Sequence, residues 1–235
     1  MKGGSLLARV YGTVLDLFFP PRCLVCQGEG SFLHPRCEER LPRLLAPYCE
    51  GCSQPGGAPL CGPCRERPLA LEGVRAPFLY EGPVREAVHR LKYRGERALA
   101  PFLGRLAAQH LREHPLPVEV LAPVPLHPRR ERERGYNQAL LLAEALAQEA
   151  GLPVVKGALR RVRATPPQVQ AATAAQRWEN TRGAFFVTRA TALQGRCVLL
   201  IDDVCTTGAT LDACARVLRQ AGASAVWGLV LAREA

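Results

Sequence analysis

Two sets of residues in this 235-residue sequence have types and spacings that can do chemistry. The first is Val198-Leu199-Leu200-Ile201-Asp202-Asp203-Val204-Cys205-Thr206-Thr207-Gly208-Ala209-Thr210-Leu211, an apolar run, two adjacent carboxylates and a loop of small hydroxyl residues around one glycine. A helix start leaves backbone N–H groups without intrahelical partners, glycine admits close approach, and threonine hydroxyls add donors. Thr206, Thr207, Gly208, Ala209 and Thr210 therefore read as a phosphate cradle between a strand and a helix. The loop lacks the lysine of GxxxxGK[ST], which excludes a nucleoside triphosphate P-loop, and it is not the GxGxxG of dinucleotide binding. Just beyond such a phosphate, Asp202 and Asp203 offer paired acceptors to a vicinal diol such as a ribose. A magnesium pocket, or Asp203 as a mere turn former, would use the carboxylates but leave the threonines unexplained.

The second set is Cys23-x2-Cys26, His34-x2-Cys37, Cys49-x2-Cys52 and Cys61-x2-Cys64. Each pair spans a tight turn that aims two donors at one ion, and two pairs complete a closed tetrahedral Zn²⁺ site of structural type. Sequential pairing is expected, with cross-bracing as the alternative; His34 is either a ligand or an exposed loop histidine. Gly51 and Gly62 suit the turns. Seven of the ten cysteines fall within residues 23–64, a pattern of metal binding in a reducing compartment rather than of disulfides. Cys197, Cys205 and Cys214 read as small buried hydrophobes.

These groups need elements to position them. Residues 1–70 hold an N-terminal amphipathic helix over Ser5–Phe19 and the cysteine module; Arg9 and Asp16 interrupt the helix and argue against a signal peptide. Residues 71–235 alternate short apolar runs with helical stretches of 10 to 15 residues, which predicts an α/β domain with a mainly parallel sheet flanked by helices. Expected helices cover Glu81–Arg94, Ala98–Glu113, Gln138–Ala150 and Thr210–Ala221. Expected strands cover Val118–Pro125, Leu152–Val155, Ala184–Val187, the run ending at the acidic pair, and Ala225–Leu231. Ligands of such sheets collect at the carboxyl ends of the strands.

The net charge of +10 is carried almost wholly by arginine, with lysine only at Lys2, Lys92 and Lys156. Residues 1–70 contribute +2, so the excess lies in the α/β domain and favours phosphate or nucleic acid as partner. Arg130 and Arg134, four apart in a loop opening a helix, are candidate forks for pyrophosphate or a nucleic-acid backbone; a solvated, self-paired helix start is the alternative, with more weight for Arg129 and Arg132 than for these two. Tyr136 either stacks on a base or packs against the sheet, and Asn137 and Gln138 are polar contacts or a helix cap. Residues Arg160 to Asn180 are basic and lack apolar periodicity; Arg160, Arg163, Thr165 and Gln168 fall in what reads as an exposed loop. Lys92 and Tyr93 end a helix, where a cation suits the dipole. No apolar run approaches a membrane span of about 20 residues, so no membrane insertion and a cytoplasmic location are expected.

IDDVCTTGATL resembles the 5-phosphoribosyl-1-pyrophosphate (PRPP) signature of type I phosphoribosyltransferases. That resemblance implies that the acidic pair holds the ribose hydroxyls and the Thr/Gly loop the 5′-phosphate, with Mg²⁺ accompanying PRPP. The position of Arg160 to Asn180 resembles the hood of these enzymes, which makes a mobile flap the alternative to an exposed loop. The paired cysteines, Leu91-Lys92-Tyr93, Pro123-Val124-Pro125-Leu126, Arg134-Gly135-Tyr136-Asn137-Gln138, Thr165-Pro166-Pro167-Gln168 and Arg177 through Phe185 extend the likeness to the ComF (competence protein F, GntX-like) family over nearly the whole chain. The resemblance implies a role in natural transformation, handling single-stranded DNA beside a helicase-like translocase. A nucleotide-salvage transferase acting on a free base, or a non-catalytic PRPP sensor, would share the same binding motif.

Overall fold

The protein was analysed as a computed structural model that describes residues 20–163 and 173–235. The expected N-terminal helix and the candidates Thr165 and Gln168 lie outside the described residues. A five-stranded sheet runs in the order β1 (Gly73–Arg75), β7 (Ala225–Arg233), β6 (Cys197–Cys205), β3 (Val120–Pro123), with β2 (Phe78–Leu79) also pairing β7. Every one of these pairings is parallel. Helices cover both faces, so β6 reads as an unbroken apolar run before its acids. Leu199 and Ile201 face one core, formed with α3 (Gly82–Tyr93), α4 (Leu99–Glu113) and α6 (Gln138–Ala150). Val198 and Leu200 face the other, formed with α8 (Ala209–Gln220).

The cysteine module contributes two short helices, α1 (Pro35–Glu38) and α2 (Gly62–Glu66). Its apolar residues Leu24, Leu33 and Leu41 join the core of α3 and α4, which replaces the interior so small a module could not bury alone.

Three expectations are corrected. The strand β6 continues through Cys205, so the acidic pair lies inside it and not at its end. The run Leu152–Val155 shrinks to a single parallel bridge between Val154 and Leu121, because it follows the left-handed Gly151 cap and Pro153 has no N–H for a ladder. The stretch after Arg160 is not a continuous loop: β4 (Leu159–Arg161) pairs antiparallel with β5 (Phe185–Val187), and α7 (Ala174–Thr181) starts on a capping box made by Thr173 and Gln176. The basic helix α5 (Pro128–Arg134) completes the described elements around the site.

Candidate functional site: an acidic pair under a basic rim

Alternation along β6 sends the two adjacent carboxylates to opposite faces of the sheet. Asp203 continues the Leu199/Ile201 face, is 3% exposed, and meets the Nζ of Lys92 at 2.7 Å. Lys92 is the penultimate residue of α3, and although burial opposes its charge, the carboxylate of Asp203 raises its pKa above the ordinary lysine value. The Oδ2 of Asp203 is buried and has no partner among the described residues. Asp202 continues the Val198/Leu200 face, half-buried, and its Oδ1 accepts the N–H of Asp203 at 2.9 Å. Burial and the neighbouring Asp203 charge push its carboxyl up to about 7. Lys92 was legible in the sequence only as a helix-end cation. The missed signal is its type: Lys92 is one of only three lysines in a chain whose basic residues are almost all arginine.

The loop after β6 turns through Gly208, whose φ of +79° begins α8 in the left-handed region that a side chain rarely adopts. Thr207 Oγ1 accepts the N–H of Ala209 at 3.4 Å. Thr206 and Thr210 line a cavity of about 340 Å³ together with Asp202 and Asp203, whereas Thr207, Gly208 and Ala209 shape the turn behind them.

Arg130 and Arg134 line the same cavity. They are half-buried, whereas Arg129 pairs with Glu133 on the exposed side of α5 and Arg132 is exposed. The guanidinium of Arg134 also lies 5.6 Å from the ring centre of the exposed Tyr93 and bonds Gln138. Tyr136 is a packing residue: it is 7% exposed, and its hydroxyl donates to the Leu91 carbonyl. Asn137 caps α6, accepting from the N–H of Ala139 at 3.0 Å and donating to Val124 O at 3.0 Å. Alternation along β4 separates Arg160 from Arg161, and Arg163 follows the strand. Arg161 is buried and lines the cavity, while Arg160 and Arg163 are exposed outside it. Arg177 of α7 and Glu234 after β7 reach the same cavity and approach each other at 3.5 Å.

The cysteine module assembles two four-ligand clusters with sequential pairing, Cys23/Cys26/His34/Cys37 and Cys49/Cys52/Cys61/Cys64, each with ligand atoms within 4.8 Å of one another. The Sγ atoms of Cys52 and Cys61 lie 3.7 Å apart, close to the edge of about 3.8 Å that a tetrahedron with Zn–S bonds of about 2.3 Å requires. His34 joins the first cluster: Nδ1 is 3.3 Å from Cys26 Sγ, and Nε2 faces the Glu29 carbonyl at 3.1 Å. A carbonyl only accepts, so Nε2 carries the proton and Nδ1 presents its lone pair to the cluster. Burial raises the Cys49 thiol, but backbone N–H groups of Cys61 and Cys52 outweigh it and bring the thiol down to about 7. The donor sets fit zinc. The glycine the second cluster needs is Gly57, where a Cβ would stand 2.8 Å from Cys61 Cβ and 3.2 Å from Cys49 Cβ; a Cβ at Gly51 makes ordinary contacts and one at Gly62 none.

Comparison with known proteins agrees with this geometry. Residues 137–234 match the phosphoribosyl transferase domain. Competence protein F of Haemophilus influenzae is 31% identical over 92% of this chain and 99% of its own length. The chain belongs to the competence protein F family. Members of similar likeness include the DNA utilization protein YhgH of Salmonella typhi, 33% identical over 89% of this chain and 96% of that one, and competence protein ComFC of Bacillus subtilis, 29% identical over 86% and 90%. The fold is that of a type I phosphoribosyltransferase domain carrying an N-terminal cysteine module that could hold zinc. Among the described residues no helix is long and apolar enough to cross a membrane.

Proposed function

We propose that the protein binds PRPP in the cavity at the carboxyl end of β6 and acts as a phosphoribosyltransferase-type protein of natural competence. The observation that carries this reading is the convergence of Asp202, Asp203, Thr206, Thr210, Arg130 and Arg134 on one cavity. The Thr/Gly loop takes the 5′-phosphate on helix-start N–H groups and hydroxyls, the acidic pair accepts from the ribose hydroxyls, and Lys92 holds Asp203 in place. Arg130 and Arg134 neutralise the pyrophosphate. Mg²⁺ brought by PRPP shares that neutralisation. If transfer follows, the C1–O bond breaks, pyrophosphate takes the electron pair, and cations arranged in advance stabilise the charge that develops on it.

The family members' names place them in competence and DNA utilization. In this chain the exposed Arg160 and Phe186, paired on the outer face of the β4–β5 hairpin, with the exposed Arg163 just beyond the strand, suit a single strand, with phosphates on arginine and a base on the ring. A helicase-like translocase is the kind of partner that would deliver that strand. The ten free thiols, seven of which belong with His34 to the two N-terminal clusters, suit the reducing cytoplasm. Two structural zinc ions complete the module.

Titration calorimetry with PRPP and Mg²⁺ tests the binding claim: heat is expected from the wild type and none from Asp202→Ala with Asp203→Ala. Undiminished binding in the double variant overturns the site. Salt-sensitive binding of a single-stranded oligonucleotide, weakened by Arg160→Ala with Arg163→Ala, is expected as well. Pyrophosphate release from PRPP with a free base and no effect of DNA would place the protein with the salvage enzymes instead.

A further inference from the structure

Arg233, at the end of β7, is 5% exposed and has no carboxylate partner among the described residues; its donors go to backbone and amide oxygens from two parts of the fold. Its Nε donates to the Cys52 carbonyl at 2.9 Å and its Nη2 to Gln54 Oε1, both in the second cysteine cluster. Its Nη1 donates to the Cys205 carbonyl at 3.1 Å and to the carbonyl of Glu234. The Cys205 carbonyl also accepts the N–H of Glu234 at 2.9 Å, so both its lone pairs are engaged. A planar trans peptide points its N–H opposite to its C=O. Fixing the Cys205 carbonyl therefore fixes the direction of the Thr206 N–H, the first amide of the phosphate loop.

The far side of the loop is held from the same segment. Leu69 packs against Cys49, Cys52 and Cys64, and its Cδ1 lies 3.4 Å from where a Cβ on Gly208 would stand. One residue on, the N–H of Ala70 donates at 2.7 Å to Oδ1 of Asp212, which is 2% exposed in the first turn of α8. The second cluster thus brackets the loop at its strand end and at its helix end.

We propose that Arg233 is a positioning residue through which the Cys49/Cys52/Cys61/Cys64 cluster sets the geometry of the phosphate loop, so that zinc in that cluster and a phosphate ester at the loop bind cooperatively. The proposal rests on the reading of that loop as the PRPP phosphate site. Without metal the four thiol ligands lose their common centre, the Cys52 carbonyl and Gln54 move, and Arg233 loses half of its acceptors. The loop amides then no longer converge. Linkage makes the coupling reciprocal: if zinc tightens PRPP, PRPP tightens zinc by the same factor, and such couplings are typically about 5- to 150-fold.

The test uses the full chain loaded with two zinc ions. A metallochromic chelator with little affinity for Mg²⁺ extracts the zinc with and without PRPP and Mg²⁺, and calorimetry on the same sample reads PRPP affinity. PRPP is expected to protect one of the two zinc ions at least about fivefold and to leave the other unchanged. In Cys26→Ser, which keeps only the second site, the remaining zinc should be the protected one. Gln54→Leu and Arg233→Lys, which retain the fold more readily than Arg233→Met, should lose most of the protection and bind PRPP more weakly, with Arg233→Lys partly rescued because an ammonium keeps one of the bonds. A wild type that binds PRPP while both zinc ions leave at unchanged rates overturns the coupling alone. Full protection in both variants overturns the role of Arg233. No heat from PRPP in the wild type sinks the reading of the loop, and the coupling with it.

Discussion

The two cysteine clusters are built on one local plan and used in different ways. Each opens with a turn in which the fifth residue adopts a left-handed conformation, Gln27 at φ 61° and Ser53 at φ 59°, and returns its N–H to the first cysteine carbonyl at 2.9 and 2.8 Å. Each closes with a short helix that has proline in its first turn and carries the last ligand. The first cluster then meets the body through apolar side chains, Leu24, Leu33 and Leu41 against α3 and α4. The second meets it through directional bonds, Arg233 to the Cys52 carbonyl and Ala70 to Asp212. Apolar contact stabilises without specifying orientation, whereas hydrogen bonds specify the direction of particular peptide groups. The same cysteine motif therefore meets helices through apolar contact in one place and the surroundings of the Thr/Gly loop through hydrogen bonds in the other.

The largest effect that would break this comparison is loss of a ligand. Bound zinc contributes on the order of 10 kcal/mol of folding free energy to modules of this kind, so Cys26→Ser and Cys52→Ser should each lose one zinc by metal analysis and melt at lower temperature. PRPP affinity should fall at least about tenfold in Cys52→Ser and by a much smaller factor in Cys26→Ser; equal losses would erase the distinction. Next in size is Lys92→Met on α3, the helix bedded on the first cluster. It leaves the buried carboxylate of Asp203 without its cation, a loss of about 3–5 kcal/mol by chemical denaturation, with PRPP binding reduced as well.

A pH series sharpens the picture on the other face of β6. Asp202 is raised in the folded protein from 3.8 to about 7. Stability therefore falls as pH rises from about 4 to about 7 and levels off above, the reverse of a paired aspartate. Hydroxyl donors of a ligand need the ionised form, so PRPP affinity should rise with pH towards 7, by at most about tenfold per unit, and flatten beyond it. Asp202→Asn should abolish both slopes; slopes that persist assign them to other groups, including the ligand's own phosphates. The smallest expected effect is Leu69→Ala, which loosens only the packing of the second cluster on Gly208 and should weaken PRPP about fivefold without releasing zinc.

Much of this was legible along the chain because it is written in contiguous residues. Ligand spacing, the Thr/Gly loop after an apolar run, and the Asn137 cap of a helix that spans Gln138–Ala150 all depend on neighbours in sequence. Strand β5 was expected, but its partner β4 was missed because it is three residues long, too short for a period, and Arg160, Arg161 and Val162 read as a charged loop. Lys92 and Arg233 were missed for another reason: each is defined by a partner more than a hundred residues away.

By itself the sequence determined the fold class, the two sets of paired cysteines with His34, and the Thr/Gly turn between a strand and a helix, since local turns and hydrophobic periodicity suffice for them. Only the tertiary structure decided how two adjacent carboxylates coexist, Asp203 against Lys92 on one face of the sheet and Asp202 in a rising-pKa environment on the other. It likewise decided which arginines face the cavity and which cysteine cluster touches the loop. Those choices are set by strand alternation and by contacts between distant segments, which no local pattern encodes.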